Sequence, residues 1–139
     1  MNKQILSFLF FCFFLSVGIS RAQEVVVVSN KNVKASDVTS DELKEVFSGE
    51  KTSLKDGSHV VPVTLKGGAA HDAFLRRFVG KNDAAFRAAW RSLVFTGQAA
   101  MPKTFDTEAQ LLDYVAATPG AIGYVGKDPG DNVKRLAVK

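Results

Sequence analysis

Four β-branched residues in succession, Val25 to Val28, constrain this chain more than any other stretch. A run with no polar alternation has no face to turn to water, and it is too short for a helix. Glu24 to Ser29 therefore reads as a strand covered on both sides. Covering both faces of a sheet takes helices, and the rest of the sequence supplies them in alternation with further strands. Thr39 and Glu42 have capping-box spacing before a helix over Asp41 to Ser48, with Leu43, Val46 and Phe47 on one stripe and Gly49 as its stop. His59 to Leu65 forms a second strand, in which Pro62 calls for an edge position or an irregular start because it cannot donate to a ladder.

A second helix runs from Ala69 to Val79, where Ala70, Phe74 and Phe78 recur every fourth residue and Gly80 ends the pattern. A third, capped by Asn82 or Asp83, carries Phe86, Trp90, Leu93 and Val94 on one face until Gly97. A fourth starts from Asp106 or Thr107 and turns Leu111, Leu112 and Val115 inward until Thr118-Pro119-Gly120 forbids continuation. Ala121 to Val125 and Val133 to Val138 complete the strands. This order predicts an α/β domain, a mixed and mostly parallel sheet of about four strands flanked by helices, with neither internal repeat nor linker.

The first residues bear on compartment. Lys3 precedes an apolar run from Ile5 to Ile19 that ends in Ser20-Arg21-Ala22, a small-x-small pattern, so residues 1–22 read as a secretory signal peptide and 23–139 as one domain. The run is shorter than the roughly 20 apolar residues of a spanning helix, so no stable membrane anchor is expected after cleavage. Cys12, the one cysteine, leaves with the signal, and the domain has to be held by its core without a disulfide. Lys3 and Arg21 leave too, which halves the formal charge of +4. That residue of charge favours small anions only slightly and falls short of the basic stripe that nucleic-acid binding needs.

Sites in partly parallel sheets gather at the carboxyl ends of strands, which directs attention to the turn Thr64-Leu65-Lys66-Gly67-Gly68-Ala69-Ala70-His71. There a glycine pair enters a helix N-terminus, where free N–H groups and the helix dipole favour an anion and Lys66 stands beside them. The same glycines also suit a tight strand-to-helix connection that needs their backbone freedom. His71, in the first helical turn with Asp72 as its neighbour, can touch an anion when protonated, and otherwise reads as a solvated side chain. Arg76, Arg77, Arg87 and Arg91 read as solvated helix surface, or as a face toward an acidic partner or anionic lipid heads. With His59 and His71 as the histidines of the domain and no cysteine, no metal site is expected, nor any cofactor. Neither a Gly-x-Ser-x-Gly elbow nor a Ser-x-x-Lys pattern with a matched base is present, so the chain does not read as an enzyme.

Three stretches in order, Asp41 to Gly49, Val61-Pro62-Val63 and Thr118-Pro119-Gly120-Ala121-Ile122-Gly123-Tyr124-Val125, resemble the phosphate-type periplasmic solute-binding proteins. Phe74 to Gly80 and Trp90 to Gly97 resemble a short, single-lobe branch of that family. The resemblance implies one lobe of a type II binding-protein fold, a periplasmic location, and recognition of phosphate or a related oxyanion for an ABC-type transporter in the membrane. Carried onto this chain, the anion site is Lys66, Gly67, Gly68, Ala69, Ala70 and His71. The family's turn bears Ser, Thr and often Arg where this one has glycine and alanine, and Leu54 stands where the family commonly has Trp. A lone lobe also leaves one side of a ligand in water. Two functions follow as expectations: weak oxyanion capture, or a non-catalytic envelope module that binds another protein through what remains of the cleft.

Overall fold

A computed structural model describes residues 23–139. The segment read as a signal peptide lies outside the described residues. The elements are β1 (Val26–Ser29), β2 (Asp37–Val38), α1 (Ser40–Phe47), β3 (Val61–Leu65), α2 (Ala69–Phe74), α3 (Asp83–Phe95), β4 (Lys103–Phe105), α4 (Glu108–Ala117), β5 (Ala121–Val125) and β6 (Lys134–Val138). All four strands expected from the sequence form, with ends displaced by up to two residues, and β2 and β4 join them to make one six-stranded sheet in the order β2-β6-β1-β5-β3-β4. β1 runs antiparallel to both of its neighbours, whereas β2 with β6, β3 with β5 and β3 with β4 are parallel. Every strand except β1 therefore points the same way.

Burial follows from that arrangement. All five residues of β5 are buried, as are Val27, Val28 and Ser29 of β1, because helices pack over the centre of the sheet. Leu43, Val46 and Phe47 of α1, Phe74 of α2, and Leu111 and Val115 of α4 close the core. Aromatic contacts fix its middle: the Phe74 ring stacks on Tyr124 at 4.0 Å between centroids, and Phe47 meets Phe74 edge-on at 4.8 Å. Pro62 sits inside the sheet rather than at an edge. It is tolerated because Val61 and Pro62 pair only with β5, and β4 joins the ladder from Val63 onward.

Three helices begin as their caps dictate. Thr39, Asn82 and Thr107 each accept the N–H three residues on, and Glu42 answers the Thr39 N–H to complete the capping box. The helix expected over Ala69 to Val79 is not uniform: after Phe74 it widens into a π-helical turn, Leu75–Val79, closed by Gly80 N–H donating to the Leu75 carbonyl at 2.7 Å. Leu75, Phe78 and Val79 are all buried in that turn, on the one face that their i, i+3, i+4 spacing gives them. In α3, Phe86 and Trp90 are buried and Leu93 is half-buried, but Val94 is exposed although it was expected on the same face. No helix among the described residues is long and apolar enough to cross a membrane.

Candidate functional site

Because β3, β4 and β5 are parallel, their carboxyl ends at Leu65, Phe105 and Val125 share one edge of the sheet, and α2 and α4 start from it. The turn Lys66 to Ala70 is held there by its backbone. Lys66 N–H donates to the Phe105 carbonyl at 2.9 Å, and Arg87 Nη2 donates to the Lys66 carbonyl. Gly68 is the N-cap of α2 with φ of 100°, a conformation that residues with a Cβ rarely adopt, so its glycine is explained by the connection itself. Gly67 has no such constraint, and a Cβ on it would meet nothing within 4 Å.

Lys66, Gly67, Gly68 and Ala69 are exposed and Ala70 is buried. Among the described residues, no protein acceptor takes the N–H groups of Gly67, Gly68, Ala69 or Ala70. Lys66 Nζ lies 3.1 Å from Asp106 Oδ1, both side chains in solvent, where such a pair contributes little and exchanges readily. Beside the turn, a groove of about 620 Å³ runs between the starts of α2 and α4, lined by Ala69, Ala70, Thr107, Glu108, Gly126 and Lys127 among others. The Glu108 carboxylate accepts the Gly126 N–H inside it and makes the groove less hospitable to anions.

His71 departs from its expected place. It is 1% exposed rather than solvated, and its hydrogen bonds go to Tyr124 and Asp83 rather than to Asp72. The start of α2 packs it against β5, where Nδ1 meets the Tyr124 hydroxyl, while Nε2 lies 2.7 Å from Asp83 Oδ1 at the start of α3. With both ring nitrogens engaged, it is not available as an anion contact, so the structure brings together Lys66 to Ala70 and leaves His71 out.

Sequence reading missed the residues beneath the turn. Asp83 accepts Arg87 Nε at 2.8 Å through its second oxygen, and Tyr124 accepts the Leu65 N–H at 3.2 Å. Burial would raise the Asp83 carboxyl, but hydrogen bonds from Arg87 and His71 outweigh it and hold the group below its ordinary value. Burial pushes the Tyr124 phenol well up, so it stays protonated. Arg87 was read with Arg76, Arg77 and Arg91 as solvated surface; Arg76, Arg77 and Arg91 are exposed, Arg77 over the Phe78 ring at 5.0 Å, whereas Arg87 is half-buried and bonded. Only its four-residue spacing from Asp83 could have shown this in the sequence. Leu54, in the place of an expected aromatic, is a core residue at 4% exposure.

No family model matches the sequence. Solved structures do resemble it. A protein from Clostridium perfringens described as a phosphate ABC transporter substrate-binding protein, with bound phosphate, superposes with a TM-score of 0.61 at 20% identity over 83% of this chain and 44% of its own. PstS from Borrelia burgdorferi gives 0.61 at 13% identity over 84% and 47%. An ABC-type phosphate transport receptor from Vibrio cholerae gives 0.55 at 13% identity over 83% and 46%. The fold is that of one lobe of a phosphate-type binding protein. The lobe spans less than half the length of each of these proteins, and what they share with it at such identities is the fold.

Proposed function

We propose that this lobe is a periplasmic solute-binding-like protein that takes phosphate or a related oxyanion weakly on the Lys66 to Ala70 turn, by stoichiometric capture, in an ABC-type phosphate uptake system. One observation supports the reading above others: main-chain N–H groups from Gly67 to Ala70 without an acceptor among the described residues, at the carboxyl end of a parallel strand and the start of a helix. Gly67 adds to it, since a glycine required by neither φ nor a neighbour keeps the backbone open to approach from outside. Solved proteins of this fold are described as phosphate transport proteins, one with phosphate bound.

Weak affinity follows from the same geometry. Well-enclosed sites bury about 70–90% of a ligand, whereas this edge is open and its charged hydrogen bonds work against water. Asp106 and Glu108 add two nearby carboxylates. Calorimetry and thermal melting of the mature protein with phosphate and sulfate test the reading. A specific ligand at 100 times its dissociation constant stabilises by about 2.7 kcal/mol. Ala69→Pro gives the matched control, because proline is accepted at the first helical position yet removes one of the proposed donors. The expected result is an unchanged melt without anion and weakened anion binding. If neither anion moves the wild-type melt at millimolar concentration, capture is wrong.

The second reading, an envelope interaction module without a ligand, has its own observation. Phe95 at the end of α3 is 93% exposed, with Val94 and Met101 exposed as well. A melt indifferent to anions would leave that reading in place.

A further inference from the structure

Five side-chain hydrogen bonds form an unbroken chain under the turn. Leu65 N–H donates to Tyr124 Oη, Tyr124 meets His71 Nδ1, His71 Nε2 meets Asp83 Oδ1, Asp83 Oδ2 accepts Arg87 Nε, and Arg87 Nη2 donates to the Lys66 carbonyl. The chain thus begins and ends on adjacent residues of the main chain, at the N–H of Leu65 and the carbonyl of Lys66. Those two groups flank the point where β3 leaves the sheet and the exposed amides begin.

The protons of this cluster can be assigned in only one consistent way. Asp83 is an acceptor only, so Nε2 carries a hydrogen toward it. With the ring hydrogen on Nε2, Nδ1 is bare and accepts the Tyr124 hydroxyl proton, while the Tyr124 oxygen accepts the Leu65 N–H. The cluster is complete with His71 neutral. A proton added at Nδ1 sets two donors against each other: the Tyr124 oxygen can accept from both His71 and Leu65, but its own hydroxyl proton has to turn away and loses its acceptor in a buried position. The new cation also shares the Asp83 carboxylate with the Arg87 guanidinium, and this second positive charge weakens the Asp83–Arg87 pair. Both ends of the turn are loosened by one event.

We propose that His71 is a protonation-sensitive positioning residue that sets the shape of the Lys66 to Gly68 turn through Tyr124 at one end and through Asp83 and Arg87 at the other. The charged and titratable groups around it are Tyr124 from β5, Asp83 and Arg87 from α3, Asp72 next to it on α2, and Lys66, paired to Asp106, at the turn. Its bearing on anion capture rests on the function proposed above; the coupling itself needs no ligand.

The test is nuclear magnetic resonance of the anion-free domain as a function of pH, with His59→Asn to remove the other histidine signal. Ring nitrogen shifts of His71 near neutral pH should be those of the Nε2–H tautomer. On acidification the amide resonances of Gly67 and Gly68 should move with the midpoint of the His71 ring, and the Leu65 amide should lose protection from exchange over the same range. Arg87→Gln should reduce the response of the glycine amides while His71 still titrates and the Leu65 amide still responds through Tyr124, a split that a merely structural role for Arg87 would not give. An Nδ1–H tautomer, a cationic ring at neutral pH, glycine amides silent through the His71 transition, or no His71 transition before acid unfolding would each overturn the proposal. Failure of phosphate and sulfate to bind would remove the capture reading alone.

Discussion

Gly123 and Gly67 set the two extremes of what a single methyl group can do here. A Cβ on Gly123 would lie 3.0 Å from Leu111 Cδ2 and 3.1 Å from Val63 Cγ2, between α4 and β3, in a part of the core where neither neighbour is free to move. Gly123→Ala is expected to cost about 1–3 kcal/mol of overpacking, read as a lower urea midpoint. Gly67→Ala meets nothing and is expected to leave stability within about 0.5 kcal/mol, while blunting anion binding if an anion approaches that backbone. Both residues belong to stretches that the sequence singled out, and the glycine turn was legible as a strand-to-helix connection open to solvent. His71 was not. A histidine in the first turn of a helix reads as exposed, and its burial depends on Tyr124 and Asp83, which lie 53 and 12 residues away in the chain. No local pattern encodes such a meeting.

Elements whose signals are local were the most legible. The capping box at Thr39 and Glu42, the caps at Asn82 and Thr107, and the stop at Gly80 each concern groups within a few residues of one another. β2 and β4 escaped notice for the opposite reason. With two and three residues, they are strands only because β6 and β3 offer them a ladder. The π-helical turn in the α2 segment left no mark in the sequence either, because Leu75, Phe78 and Val79 keep the spacing of an ordinary α-helical face.

The α1 cap yields a prediction with a pH signature. Glu42 accepts N–H groups from Thr39 at 3.1 Å and Lys55 at 2.9 Å, so it ties the helix start to the loop after α1. Burial would raise its carboxyl, but the hydrogen bonds from Lys55 and Thr39 outweigh it and lower the group from 4.5. Thr39→Ala and Glu42→Gln are each expected to cost about 1 kcal/mol near neutral pH. A depressed folded value means that the carboxylate stabilises fully above its unfolded value and loses that contribution as pH falls through the folded one. The deficit of Glu42→Gln relative to wild type should therefore shrink below pH 4.5, whereas that of Thr39→Ala retains the part owed to the Thr39 side chain. Denaturant melts at a series of pH values check this.

At the scale of the whole molecule, the one antiparallel strand controls cooperativity. β1 lies between β5 and β6, pairing Val26 with Val125 and Val27 with Leu136, so the centre of the sheet joins segments about a hundred residues apart. The sequence announced a buried strand at Val25 to Val28, but neither its direction nor its neighbours, because a run with no alternation carries no register. Its position means that the sheet cannot be completed from the first part of the chain alone. Among the described residues β6 is the only partner of β2 and one of two partners of β1, and Lys139 exchanges main-chain hydrogen bonds with Val38 and Ser40 at the entry to α1. Leu136, 5% exposed, fills the core between them. Removing Lys134 to Lys139 would thus expose one side of the central strand, free β2 and untie α1, although these residues are far from the Lys66 turn in sequence. The expected outcome is loss of the cooperative thermal transition in circular dichroism, with helical signal that fades gradually on heating. A truncated chain that still melts sharply would show that β1 and β5 with their helices suffice, and that β6 merely extends the sheet.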